Sequence, residues 1–308
     1  MSASANSSCL IRGVRSIELV ATNLDEASRF YETVWNLTPV EARNDARYFR
    51  GTARYHHVLA LHEGTRPAVM RIVFDVADRD GIAALHARIA AAGGKPSAPA
   101  KLTMAGGGYG FACKDPDGRN LAFVCDTADH ADAADLADRP RKIVHINLNT
   151  VDFDGSLRFF TTALGFRVVD DNAPLWFLHC DNSDHCSIVL CKLNLPTLNH
   201  IAFDMPELDS VMRGMGRMKD AGYPIEWGPG RHGPGNNVFA YFCGPDEMPL
   251  EYAAEVLQID DSYQPRPSDY WKFKPGRSDQ WGITQPRSAR YYRVQRLVGF
   301  TADGDRLA

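Results

Sequence analysis

The side chains in this sequence best suited to holding a metal ion are two histidines and one glutamate, His145, His200 and Glu251. Two imidazoles and one carboxylate are the facial ligand set of non-haem Fe(II) oxygenases, and they leave about three coordination positions open. An open face of that size lets an organic substrate and O2 meet on one ion. Each residue lies in an apolar run of strand length: Ile143-Val144-His145-Ile146-Asn147-Leu148, Leu198-Asn199-His200-Ile201-Ala202-Phe203 and Pro249-Leu250-Glu251-Tyr252-Ala253. A two-residue period puts Ile143, His145 and Asn147 on one face, His200 with Leu198 and Ala202, and Glu251 with Pro249 and Ala253. The expectation is three strands that aim their ligands into one cleft.

Self-similarity shows how the chain supplies those strands. Arg29-Phe30-Tyr31 and Arg158-Phe159-Phe160 match at an offset of 129 residues (158 − 29). At the same offset Ser16-Ile17-Glu18-Leu19 falls on His145-Ile146-Asn147-Leu148, Arg71-Ile72-Val73-Phe74-Asp75 on His200-Ile201-Ala202-Phe203-Asp204, and Pro116 to Ala122 on Pro245 to Glu251. Asn23-Leu24-Asp25-Glu26, a helix N-cap with its capping-box partner, falls on Asp152-Phe153-Asp154-Gly155. Each copy divides again into the order strand, helix, three short strands. In the second copy this gives a strand at 142–149, a helix near 154–164, and strands at 166–171, 174–180 and 185–192. The next module restarts near Leu198, with a helix from Pro206 to Gly222 carrying Leu208, Val211, Met212, Met215 and Met218 on one stripe that packs on a sheet. The expected fold is α+β: four β-α-β-β-β modules paired into two domains, 12–127 and 140–256, followed by a tail at 257–308. The Ala/Asp-rich segment around 128–140 reads as an exposed link. In the first copy Ser16, Arg71 and Ala122 replace the three ligands, so only the second copy is expected to bind metal.

Composition narrows the class. With 44% hydrophobic residues, a net charge of −4 and a pI near 6.2, the chain suits a globular protein with no general attraction to nucleic acid or anionic membrane. No apolar run reaches the length of a membrane span. Residues 1–8 lack the basic start and apolar core of a signal peptide, so a cytoplasmic location is expected. Seven cysteines at irregular spacings read as reduced core residues.

The residues between His232 and Glu251 resemble the vicinal oxygen chelate (glyoxalase-like) superfamily, and within it the two-domain type I extradiol catechol dioxygenases. The signature runs Gly230-Arg231-His232, Ala240-Tyr241, then Gly244-Pro245-Asp246-Glu247-Met248-Pro249-Leu250-Glu251. Ala240 stands where a larger apolar residue is usual, and Gly244 with Glu247 departs from the usual turn. The resemblance covers residues 12 to about 256. It implies strands curled around a cleft in each domain, with Fe(II), or Mn(II) in its place, bound by His145, His200 and Glu251 of the second domain alone. It further implies His185 as the acid–base histidine, His232 and Tyr241 as catalytic and substrate-binding groups, and Asn147 as a substrate contact. The implied activity is opening of a substituted catechol by O2 beside the diol, to a muconic semialdehyde type product in aromatic catabolism. A neutral histidine can take a proton from the catechol and return it later, which suits His185, while His232 and Tyr241 hydrogen-bond the oxygens. A homo-oligomer is the expected assembly.

Other readings are a 4-hydroxyphenylpyruvate dioxygenase-like enzyme, which shares the ligands, and a non-catalytic binding protein of the bleomycin-resistance kind, which needs no metal. A glyoxalase-like isomerase needs a fourth protein ligand, for which the sequence offers no candidate. Arg287, Arg290, Arg293 and Arg296 recur beside Tyr291 and Tyr292, but the overall charge argues against nucleic acid. The tail from Ser262 to Gly282, with Tyr263, Tyr270, Trp271, Phe273 and Trp281, is too aromatic for a disordered linker and is expected to pack on the second domain, over the cleft. Leu175, Trp176 and Phe177 lie on a candidate wall strand. The remaining histidines, His56, His57, His62, His86, His130 and His179, read as structural or exposed.

Overall fold

The computed structural model describes residues 9–304, so residues 1–8, read above for a targeting signal, and 305–308 lie outside the described residues. The described chain forms two eight-stranded sheets of the same topology. The first runs Thr38–Arg43, Ala46–Arg50, Leu59–Glu63, Ile11–Ala21, Ala68–Val76, Asn120–Cys125, Tyr109–Lys114, Ala100–Lys101. The second runs Arg167–Asn172, Leu175–His179, Ile188–Lys192, Ile143–Thr150, Leu198–Met205, Pro249–Ala254, Val238–Cys243, Trp227–Arg231. The 129-residue offset maps many elements end for end, among them Thr38–Arg43 onto Arg167–Asn172 and Leu59–Glu63 onto Ile188–Lys192.

Local chemistry sets the helix starts. The Asn23 side chain accepts from the Glu26 amide and donates through its Nδ2 to the Glu26 carboxylate, a cap closed between side chains, and Asp152 caps Gly155 in the second copy. Each of these short helices, Leu24–Arg29 and Phe153–Arg158, runs on into one π-helical turn, Phe30–Val34 and Phe159–Ala163. On the helix Leu208–Asp220 the stripe is narrower than expected. Val211, Met215 and Met218 are buried, but Met212 is 45% exposed because it falls on the flank of the 208, 211, 215, 218 seam.

The two halves share one core. Trp35, from the first half, is fully buried against the second: its ring stacks on Tyr252 at 3.8 Å and meets Phe203 edge-on at 5.4 Å, while Arg217 donates to the Val34 carbonyl at 2.7 Å. In the reverse direction Phe166 packs edge-on against Phe74 at 6.1 Å. Arg119 ties the halves by polar contacts: it donates to Asp115 (2.6 Å) and Asp117 (2.7 Å) in its own half, and to the Asn149 carbonyl (2.9 Å) and Ser156 (3.2 Å) in the other. The linker is exposed as expected but held down by ion pairs of Asp132 with Arg50, Asp135 with Arg141 and Asp138 with Arg213.

The tail departs from expectation. It packs on the second half, then continues to the first sheet, where the Thr301 amide donates to Val69 (3.0 Å) and Asn120 donates to the Thr301 carbonyl (2.8 Å). All seven cysteines are free, and six are buried. No helix among the described residues is long and apolar enough to cross a membrane.

The buried Arg119 cluster yields a stability prediction. Arg119→Leu strands two carboxylates in a dry interior and should cost about 3–5 kcal/mol. Arg213→Leu, which breaks exposed pairs, should cost less than about 1 kcal/mol. Urea denaturation midpoints of the two variants give the comparison.

Candidate metal centre

The register of three adjacent central strands brings the ligand types together. Ala202 lies directly opposite His145 on one side and Glu251 on the other, and Tyr241 lies opposite Glu251 on the next strand. Directly opposed residues share a face, so His145, Ala202, Glu251 and Tyr241 form one row. His200 and Asn147, themselves opposed, sit two residues along the same face. The small side chain of Ala202 in the middle of the row leaves the space into which the larger ones converge.

The convergence is tight. His145 Nε2 and His200 Nε2 are 3.1 Å apart, and Glu251 Oε2 lies 3.3 Å from the first and 3.1 Å from the second. All three residues are buried, yet Glu251 Oε2 has no hydrogen bond although two ring nitrogens are this close. Lone pairs aimed at a common point explain both facts. Ligand bonds of about 2.0–2.2 Å at right angles place neighbouring donors about 3 Å apart, so the triangle fits one face of an octahedral divalent metal.

The second layer fixes the donors. His200 Nδ1 donates to Asn199 Oδ1 at 2.9 Å, which leaves Nε2 as the lone-pair nitrogen. Asn199 is itself held by Gln295 (2.6 Å) and Asn149 (2.9 Å), and Asn237 donates to the other oxygen of Glu251 at 3.2 Å. Burial pushes His200 down to about 4, keeping it neutral. Burial alone would raise Glu251, but contacts from His145, His200 and His232 outweigh it and hold the carboxyl well below its usual range.

Beside the triangle, His232 Nε2 and the Tyr241 hydroxyl are 2.7 Å apart, with His232 3.6 Å from Glu251. Burial, reinforced by the Glu251 charge, raises Tyr241 well above the ordinary phenol range, so it stays protonated and can donate. These residues open onto a cavity of about 260 Å³, also lined by Asn147, whose Oδ1 is buried without a partner. Leu175 and Phe177 form one wall, whereas Trp176 points to the opposite face and packs on Phe153 at 4.2 Å.

His185 is not among the cavity-lining residues. It is fully buried, its ring 5.7 Å from Phe177, with Nε2 2.7 Å from Asp170 Oδ2 and Nδ1 unpartnered. Asp170 also accepts from the Tyr263 hydroxyl (3.0 Å) and the Arg266 amide (2.8 Å), both from the tail. Spacing from His200 could not reveal this carboxylate, which arrives from an edge strand. In the first half, Ser16, Arg71 and Ala122 occupy the matching positions. Arg71 pairs there with Glu18 at 3.0 Å, and Glu18 also meets His62 at 3.2 Å.

The aromatic part of the tail, expected over the cleft, contributes Phe273 to the cavity, but no sequence expectation covered Arg287, Tyr292, Gln295 and Arg296, which line it as well. The arginine spacing was the available signal, and it was weighed only against nucleic acid, which the overall charge argued against. In the unusual turn, Asp246 and Glu247 take φ values of 56° and 57°. The strain is local: Asp246 accepts from the Thr22 amide at 2.9 Å and Glu247 pairs with Arg290.

The family model of the Glyoxalase/Bleomycin resistance protein/Dioxygenase superfamily matches residues 13–123 and 142–252, one copy in each half, and the chain belongs to this superfamily. It is similar over its length to a solved Mn(II)-bound glyoxalase from Novosphingobium aromaticivorans, with 36% identity, a TM-score of 0.86, and coverage of 92% of this chain and 94% of the other. It is 34% identical over 122 residues to Metapyrocatechase 2 of Cupriavidus necator, covering 39% of this chain and 38% of that relative. It is 30% identical over 122 residues to the Biphenyl-2,3-diol 1,2-dioxygenase of Metapseudomonas furukawaii, covering 36% and 40%. The matched part is thus about two-fifths of the length of these curated relatives.

Proposed function

We propose that the protein is a metal-dependent extradiol dioxygenase that opens a catechol beside its diol, with O2 as co-substrate and a muconic semialdehyde type product. The observation that carries this reading is the His145–His200–Glu251 triangle, set beside a cavity that also presents Asn147, His232 and the protonated Tyr241. A relative named for dioxygenation of an aromatic diol supports it. Fe(II) is the proposed ion, with Mn(II) the alternative, and when bound it supplies the place where diol and O2 exchange electrons. The protein's own groups do the rest. Tyr241 donates a hydrogen bond to a bound oxygen, His232 relays with it, and Asn147 offers an acceptor to a substrate hydroxyl. For His185 we propose proton transfer, with Asp170 holding Nε2–H so that Nδ1 is the free acceptor. The proposal includes the division at 12–127, 140–256 and 257–308 with metal in the second unit alone, a homo-oligomeric assembly and a cytoplasmic location.

A second reading, isomerisation by a glyoxalase-type enzyme, is favoured by the 36% identity to the solved Mn(II)-bound glyoxalase. Against it, the cluster of potential metal ligands found among the described residues contains three members. An oxygen electrode separates the two, since only ring cleavage consumes O2.

His145→Ala, His200→Ala and Glu251→Ala should each lose bound iron and activity while remaining folded, and stoichiometric iron in any of them would sink the assignment. Ser16 and Arg71 variants should retain full iron content. Asn199→Ala frees the His200 ring and should weaken metal affinity by about 10- to 100-fold, measured by chelator competition. His185→Phe should keep iron and still bind catechol anaerobically, while turnover falls by about 10²- to 10⁴-fold. Loss of iron in that variant would mean His185 is a ligand or a structural support. Turnover at the parental rate would move proton transfer to His232, Tyr241 or water.

A further inference from the structure

The substrate class can be narrowed from the wall that the tail contributes to the cavity. Three arginines of one tail segment behave differently. Arg290 is fully paired, reaching Glu226 at 3.1 Å and Glu247 at 2.9 Å. Arg287 and Arg296 line the cavity instead, and neither has a carboxylate partner among the described residues. Arg287 is half-buried with its guanidinium stacked over the Trp227 ring at 4.2 Å. Stacking uses the face of the guanidinium and leaves its N–H edges free to donate. A half-buried cation that lines a cavity without a carboxylate partner is available to an anion bound there.

The same sign continues outward. Phe273 is a wall shared between this cavity and a neighbouring hollow of about 580 Å³ lined by Arg266, Lys272, Lys274 and Arg277. The acid lining that hollow, Asp279, accepts from the backbone amides of Arg231 and Trp281. The chain as a whole carries −4, so this concentration of positive charge beside the cavity is a local departure. His145, His200 and Tyr241 mark where the diol would sit, and Trp227, which carries the Arg287 guanidinium on its ring, stacks on Tyr241 at 5.0 Å.

We infer that the substrate is a catechol carrying an anionic substituent, a carboxylate, received by the N–H edges of Arg287 with Arg296 at the mouth. The inference rests on the dioxygenase reading for the diol, but the charge preference is measurable without turnover. The paired hydrogen bonds of a guanidinium–carboxylate contact are charge-assisted and geometrically selective, so a neutral isostere should not replace the ligand.

The test uses the Fe(II)-loaded full chain with a dihydroxybenzoate and its methyl ester, in both ring isomers. Ring fission in air gives kcat/KM, and anaerobic calorimetry gives Kd. The wild type should favour the acid of at least one isomer by about 10-fold or more. Arg287→Gln should lower Kd-derived affinity and kcat/KM for that acid by about 10- to 100-fold, the loss expected for a charged hydrogen-bonded contact, and change the ester by less than about 3-fold. Arg287→Lys should recover part of the loss, and Arg296→Gln, at an exposed position, should show the same selectivity with a smaller size. Rising ionic strength should lower kcat/KM for the acid but not for the ester. Equal affinity of the wild type for acid and ester overturns the inference. So does an equal loss on both in Arg287→Gln, which would make Arg287 a prop for Trp227. Tight, arginine-dependent binding of the acid with no O2 uptake on any catechol would uphold the anion site and remove the dioxygenase reading.

Discussion

The interaction on which the rest of the structure depends is the meeting of three electron-pair donors around Glu251 Oε2. Two imidazole nitrogens and a carboxylate oxygen lie at 3.1–3.3 Å in a buried cleft, and Glu251 Oε2 has no hydrogen-bond partner there, so three lone pairs pointed at one another are mutually repulsive unless a cation stands between them. Such an arrangement needs a rigid frame. The frame is the centre of an eight-stranded sheet, where each ligand strand is hydrogen-bonded on both sides and Ala202 fixes the row. Edge strands or loops would relax away from the point of convergence.

The first half shows another solution to a similar electrostatic problem. Its cleft also buries a carboxylate, Glu18, at the position of Asn147, but the positive charge is built into the chain as Arg71, at the position of His200. Burial alone would raise Glu18, and His62 and Arg71 outweigh it and lower it, so the site is electrically closed. One duplication has therefore produced one cleft that carries its own cation and one whose donors suit an external cation.

The fold was legible because its signals are local and doubled. Alternation gave the strands, Asn23 and Asp152 gave the helix starts, and two copies at one offset made each weak signal count twice. The three ligand types were legible for the same reason, since the first copy served as an internal control. Long-range contacts were not legible. Nothing near His185 in sequence announces Asp170 or Tyr263, and nothing near Gln295 announces Asn199. Periodicity put Met212 on the stripe because Met212 is apolar, but the packed face is narrower than the run of methionines. The alternation in Leu175-Trp176-Phe177 was visible, but which face met the cavity depended on the register with Ile188–Lys192.

The tail joins these observations into one cooperative unit. Gln295 holds Asn199, which holds His200; Tyr263 and the Arg266 amide hold Asp170, which holds His185. Both relays start in a segment that the repeat does not contain, and that segment ends by hydrogen-bonding to Val69 and Asn120 of the first sheet. Through Trp35 and Arg119 the first half is in turn embedded in the second. The half without the three-donor cluster therefore bears on the site indirectly: through Val69 and Asn120 it anchors the strap whose middle orients His200, proposed as a metal ligand, and His185, proposed to move protons. Loosening the first half should thus be felt first as lost orientation at His200 and His185, before any ligand strand unfolds, because single hydrogen bonds at the ends of relays are weaker than a sheet paired on both sides.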